Sequence, residues 1–496
     1  VNRGAFFAVL FLILPLRAEA QSNWNQGLAG SVYASAFAFM APRTLGVIPM
    51  AELTLWGLRG LTALDPSVGP TMDQRSISLV DREQVVLSMP LPRPDDAAGW
   101  GAVAAQICGR AAQLSPAIAE AGTTGIVTSF FDELFNHLDP YSRYVPSAGS
   151  EADTATGDPG MTIAIIRHHA VVDAVDPGGS ASEAGVAIGD RVFAIDGAPT
   201  RGQDADALNA ALAGPPGSEV TLDVLLRRQR QQTVSLTRMA VSPPTVSAAR
   251  QGPMLVIQIA GFEPGTADTF RQVVTGALAA GQAPRGIVLD LRGDRGGLLD
   301  QAVAVAGSLI ASGVIGSAVG RDPEADQSWR ASNGDLALGQ PVVVLVDGRT
   351  ASAAEVLAAA LADDGRGVVV GSATFGKGLV QAATPLPDGG TLLVTWARLL
   401  APLGWPLQGL GVMPQICTSG TSDSVEAQLE ALNGGQQPLG AAIRASRAAR
   451  PGITLDRILQ IREACPAALG SSLDMQAAQF LVTTPSAYAA ALIGAP

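Results

Sequence analysis

From residue 254 onward the apolar positions fall into two alternating patterns. Short, largely apolar runs at 254–259, 286–291, 341–346 and 367–370, continuously so at 342–346, are separated by stretches with apolar residues three and four apart. The runs predict strands buried on both faces, and the intervening segments 266–280, 298–311 and 353–362 predict helices, which together describe a parallel sheet covered on both sides. Residues 391–403 add a further extended segment. Upstream, 162–166, 171–175, 191–195, 220–226 and 232–238 read as short strands of a small β unit with one helix at 204–213. Residues 21–147 read as mostly helical. Within them 55–66 and 130–140 echo each other, each an amphipathic run stopped at Leu-Asp-Pro. Residues 423–432, 454–464 and 474–481 predict a helical appendix with no evident chemistry. A polar, Gly- and Asp-rich stretch at 147–160 has the composition of a linker.

At 496 residues the chain has room for about three domains. Its 47% hydrophobic and 15% charged residues fit a protein with a substantial core, and a net charge of −12 argues against nucleic acid as a partner. The N-terminus reads as a secretory signal at 1–20. Arg3 precedes a 12-residue apolar run at 5–16 and a small-x-small cleavage site at Ala18 and Ala20, so a periplasmic or secreted destination is expected. Export makes disulfides feasible. Cys417 and Cys465 either pair or remain two buried thiols, and Cys108 is left free.

Of the 32 Lys and Arg residues only one, Lys377, is lysine. A guanidinium cannot release its proton, whereas a desolvated ammonium can, so this position suits a general base. The three histidines, His137, His168 and His169, all precede residue 170, and no Cys or His spacing suits zinc. A nucleophilic hydrolase built from the second half of the chain would therefore use the lysine, with no metal or other cofactor.

Ser352 follows the apolar run 341–346 at a strand-to-helix turn. Ser352-Ala-Ala-Glu355 matches a capping box, and the same turn would aim free amides, that of Ala353 included, at a developing oxyanion. A second strand ends in Asp290-Leu-Arg-Gly-Asp-Arg-Gly-Gly-Leu298, where Gly296 or Gly297 could supply the other half of an oxyanion hole or simply make a tight turn. Gln381, four residues past Lys377, could orient the amine without adding charge.

These segments resemble the C-terminal processing peptidases, or tail-specific proteases, which are secreted serine hydrolases with a Ser-Lys pair and an assisting Gln. The resemblance runs through Thr350-Ala-Ser-Ala-Ala-Glu355 and Thr374-Phe-Gly-Lys-Gly-Leu-Val-Gln381, with Ser352 and Lys377 separated by 25 residues and Lys377 and Gln381 by 4. Leu138-Asp-Pro-Tyr-Ser142, the glycine segment and Gly411-Val-Met-Pro414 extend it over roughly 120–415. It implies a crotonase-like α/β protease core at 244–415, a PDZ domain at 157–240, an N-terminal helical region at 21–147 and a C-terminal helical extension at 416–496. Gly160, Met161, Thr162 and Ile163 would form the PDZ loop that receives a peptide's C-terminal carboxylate. The chain departs from the family at Asp294-Arg295, where Asn-Pro is common, at Met161-Thr162, and at Gln415, where an acid is expected.

The implied activity is an endopeptidase that captures protein C-termini and cleaves near them, with Ser352 as nucleophile, Lys377 as base and Gln381 orienting the lysine. An adaptor or lipoprotein partner and a homo-oligomer are compatible with the resemblance. A catalytically silent tail-binding scaffold is the competing reading, and an amidase or esterase acting on small substrates is a third.

Overall fold

The structure, a computed structural model, describes residues 24–147, 157–166, 169–175, 179–226, 230–240, 245–280, 283–332 and 334–493. The expected signal segment with Ala20, most of the linker and His168 lie outside these residues.

The alternating region forms a six-stranded sheet in the order Val246–Gln251, Met254–Ile259, Gly286–Asp290, Val342–Val346, Val368–Gly371 and Ile416–Cys417. The first pair is antiparallel and the rest parallel. Its central strands are apolar on both faces because both faces are covered. On one side Ile257, Leu289 and Val344 pack with the helices Thr266–Ala279, Leu299–Leu309 and Ala353–Asp363. On the other, Val288, Val343 and Val370 pack against Leu432, Ala477, Leu481 and Ala487.

The C-terminal appendix thus supplies the second layer of the core, while its segments 440–447 and 455–462 pack with the first through Ile443, Ile458 and Ile461. It comprises Ser422–Asn433, Gly440–Arg447, Leu455–Arg462, Ser472–Thr483 and Pro485–Ala491. The second and last of these are short helices absent from the expected pattern.

A disulfide joins Cys417, on the edge strand, to Cys465, while Cys108 is free and buried. It closes a span of 48 residues, for which loop-closure entropy gives about 4 kcal/mol. Cys465→Ser should therefore lower the unfolding free energy of the core by about that amount in a denaturant titration. A loss under about 1 kcal/mol would show that packing on the sheet alone fixes these helices.

A second sheet of antiparallel strands runs Gln327–Ala331, Gly313–Gly320, Thr391–Leu400 and Leu379–Pro385, with Arg143–Val145 added beside Thr391–Leu400. This last pairing ties the N-terminal region to the core next to the residues of interest.

The N-terminal region holds the helices Gln26–Arg43, Met50–Leu64, Ala97–Leu114 and Pro116–Asn136. It also contains an unexpected three-stranded sheet, Val68–Met72, Ser76–Asp81 and Gln84–Pro90. The two echoing helices pack on each other at Gly57 and Gly60, where a Cβ would come within 2.2 Å of the Phe130 ring and of the Ser129 carbonyl oxygen respectively. The small β unit is a separate sheet of Arg230–Thr237, Glu219–Leu226, Arg191–Ile195, His169–Val175 and Met161–Ile166, with the helix Ala205–Leu212 over its own core.

Candidate active site

The strands Gly286–Asp290 and Val342–Val346 are adjacent and parallel, so the turns that follow them emerge side by side. Three hydrogen bonds fasten these turns together. Gly293 N donates to Asp347 Oδ1 at 3.0 Å, Thr350 Oγ1 to the Leu291 carbonyl at 2.8 Å, and Ala351 N to the Asp294 carbonyl at 2.9 Å.

Ser352 closes the second turn at φ 58° and ψ −119°, a left-handed conformation that costs a non-glycine residue of order 1–3 kcal/mol and is held by its surroundings. The helix Ala353–Asp363 starts immediately after it. Gly296, at φ 94°, lies so close that a Cβ would come within 2.9 Å of both Ser352 Cβ and Ala353 N. A side chain there would fill the space beside the hydroxyl. Among the described residues, the amides of Ala353 and Gly297 have no acceptor, while that of Gly296 donates to Asp294 Oδ1 at 2.7 Å. The free donors on the two turns are therefore Ala353, at a helix N-terminus that already favours negative charge, and Gly297, next to Gly296.

Glu355 is completely buried and holds the two halves of the site together. Its carboxylate accepts the amides of Ser352 at 2.8 Å, Gly376 at 2.7 Å and Lys377 at 2.8 Å, together with the Thr374 hydroxyl. Burial pushes its carboxyl above the usual range, and the four donors pull it back. One side chain thus fixes the main chain at both Ser352 and Lys377. It takes the lysine's backbone N–H, and among the described residues the amine has no hydrogen-bond partner.

The amine of Lys377 lies 5.2 Å from the centre of the Tyr141 ring. Burial, reinforced by the nearby positive charge of Arg143, lowers its pKa from the ordinary lysine value. Among the described residues no hydrogen bond joins Ser352 Oγ to Lys377 Nζ, or Lys377 Nζ to Gln381. Gln381 Nε2 instead donates to Thr395 Oγ1 at 3.0 Å, its partner across the strand pair Leu379–Pro385 and Thr391–Leu400. Thr395 Oγ1 donates in turn to Asp139 Oδ1 at 2.8 Å, and Ser142 Oγ to Asp139 Oδ2 at 2.6 Å. The Leu138-Asp-Pro-Tyr-Ser142 segment thus reaches the site twice, anchoring Gln381 through Asp139 and lying against the lysine through Tyr141. Beside this relay is a cleft of about 350 Å³ whose lining includes Leu138, Thr395 and Gln408.

The C-terminal layer also contributes. Arg462 donates to the carbonyls of Thr374 at 2.8 Å and Leu410 at 2.7 Å, which pins the loop that carries Lys377 from behind. Sequence reasoning missed Glu355 beyond its capping register, as well as Tyr141 and Arg462. The first two lay in quoted motifs, but nothing marked Arg462.

In the β unit, Gly160 has φ 73° and donates to Asp158 Oδ1 at 2.7 Å. Met161, Thr162 and Ile163 begin the strand at the sheet's edge. The outward-facing backbone of Ile163 is occupied. Its N–H donates to Asn209 Oδ1 and its carbonyl accepts from Asn209 Nδ2, both at 2.9 Å.

Residues 254–418 match the model of peptidase family S41, and residues 171–226 match a PDZ domain. The chain thus carries a peptidase family S41 region at 254–418, with a PDZ domain ahead of it. It is 31% identical over 287 residues to a carboxy-terminal-processing protease of Bartonella bacilliformis, covering 56% of this chain and 66% of that one. It is 35% identical over 244 residues to a carboxyl-terminal-processing protease of Synechocystis, covering 48% and 56%. These two matches span less than two thirds of the relatives' own lengths. Among solved structures, a photosystem II D1 C-terminal processing protease aligns over 58% of this chain and 81% of its own, at 28% identity and a TM-score of 0.36.

Proposed function

We propose that this chain is an exported serine endopeptidase with a crotonase-like core at 244–415, which binds protein C-termini through the PDZ unit at 157–240 and cleaves near them. The observation that carries this reading is the shared anchorage of Ser352 and Lys377 on Glu355, which sets a hydroxyl and a desolvated amine on one rigid support. Neutral Lys377 removes the Ser352 proton as the hydroxyl attacks the scissile carbonyl, and returns it to the leaving amine. To do so the amine swings from the Tyr141 ring toward Ser352, and Gln381, braced by Thr395 and Asp139, limits where it can go. The amides of Ala353 and Gly297 receive the oxyanion. Leu298, which follows Gly297, and Phe375, just before Gly376 and Lys377, are exposed apolar side chains that offer contact to an apolar substrate residue. A peptide tail entering the PDZ groove as an added strand replaces Asn209 on the backbone of Ile163.

A fluorophosphonate probe tests this directly. It should label the wild type but not Ser352→Ala, and a peptide with a free C-terminal carboxylate should speed labelling more than its C-terminal amide does. Equal labelling of both proteins would remove Ser352 as nucleophile. No labelling under any condition would favour the tail-binding scaffold instead.

A further inference from the structure

Asp294 sits between the two turns of the site and is completely buried. Its carbonyl accepts the amide of Ala351, the residue before Ser352, at 2.9 Å, and its Oδ1 accepts the amide of Gly296 at 2.7 Å. One residue therefore grips both the nucleophile turn and the glycine turn. Its Oδ2 is buried and has no hydrogen-bond partner among the described residues. An ionised carboxylate with a single donor and no cation is costly in such a place, whereas a protonated one is tolerable.

The charged groups on the surrounding elements are committed elsewhere. Asp290, at the end of its own strand, pairs with Arg292, which also holds Asp474 of the C-terminal layer. Asp347, on the neighbouring turn, pairs with Arg349, and Glu355, on the helix after Ser352, takes its four donors. Arg295 and Glu263 are exposed. The remaining titratable groups of the site are Tyr141, whose hydroxyl burial holds above the ordinary phenol range, and Lys377, whose amine lies against that ring and has no carboxylate partner among the described residues.

We propose that Asp294 is a positioning residue of the oxyanion loop that works as a neutral acid and shuts the site down from the alkaline side when it loses its proton. The inference rests on the reading of Ser352 as nucleophile. While neutral, Asp294 holds the Gly296 amide without placing charge beside the oxyanion. Once ionised, it sets a buried negative charge on the very group that takes the Gly296 amide, in the residue whose carbonyl takes that of Ala351. That charge opposes growth of negative charge on the scissile carbonyl and favours the ammonium form of Lys377. Both effects slow the reaction. Burial raises Asp294 to about 7, so its ionisation falls in the range where an enzyme of this kind would work. Lys377 governs the rise of the rate from the acid side, and Asp294 governs its fall.

The test compares kcat/KM for a peptide substrate, and the rate of fluorophosphonate labelling, for full-length wild type and Asp294→Asn from about pH 5.5 to about pH 9.5. The wild-type rate should pass a maximum and decline, while the variant should keep rising to a plateau. The ratio of variant to wild type should grow at least about tenfold between about pH 6 and about pH 8.5. A ratio constant within about twofold over that range overturns the proposal. A second measurement needs no variant. A carboxyl ionises with almost no heat and an amine with a great deal, so the midpoint of the wild-type falling limb should stay put on warming. A limb that moves as an amine's does overturns the proposal. Labelling with a flat ratio removes this inference alone, whereas absence of Ser352 labelling at every pH removes the peptidase reading and this inference with it.

Discussion

Lys377→Arg is expected to be as inactive as Lys377→Ala, each losing about 10³-fold or more in kcat. Arginine keeps the positive charge, the length and the stacking on Tyr141, so any role resting on charge or packing would survive the exchange. The ability to be neutral would not. The site is arranged to supply a neutral amine: burial and Arg143 both lower the lysine's pKa, and the buried carboxylate of Glu355 bonds its backbone instead of its side chain. The sign of the pH dependence follows. Acid protonates Lys377 and removes the base, so kcat/KM should fall by about tenfold per pH unit below the lysine's lowered pKa and recover as pH rises toward it. An arginine variant retaining more than about a tenth of wild-type activity, with the acid limb unchanged, would mean that some other group takes the Ser352 proton.

Why the lysine was legible and its surroundings were not comes down to distance along the chain. A solitary Lys among arginines, and a Ser at the end of an apolar strand, declare themselves by residue type and local pattern. The continuous run Val342–Val346 could only be a strand covered on both faces, and it places Ser352 at the head of a helix. Gln381 was visible for its spacing from Lys377, but its partner is Thr395, chosen by the register of two antiparallel strands that no spacing rule reveals. Asp139 meets Thr395 across 256 residues, and Arg462 meets Thr374 across 88. Such contacts exist only once the layers have packed. The C-terminal helices looked like an appendix because their apolar faces are read without the sheet face they cover. The sheet at 68–90 was missed for the opposite reason. Its strands are short and half-exposed, and the first carries Gly69 and Pro70.

Glu355→Gln carries the second large effect. The exchange keeps size and shape but leaves one amide oxygen to accept and turns an NH₂ toward donors, among the Ser352, Gly376 and Lys377 amides and the Thr374 hydroxyl. At least one of these buried groups loses its acceptor, at about 1–3 kcal/mol each, so unfolding free energy should fall by about 3 kcal/mol. Activity should fall further than stability implies. Ser352 and Lys377 are held in register by the same oxygen, Glu355 Oε2, and a shift of about 1 Å between reacting groups can cost about 10²-fold. The loss should appear in kcat, with KM changing little, because Glu355 is buried behind both residues and touches no substrate. Glu355→Asp, which keeps the charge but retracts it by one methylene, should recover stability better than rate. That divergence separates a positioning role from a purely structural one. Parallel recovery of both by Asp, or a glutamine variant with wild-type kcat, would show that the two turns keep Ser352 and Lys377 aligned without this carboxylate.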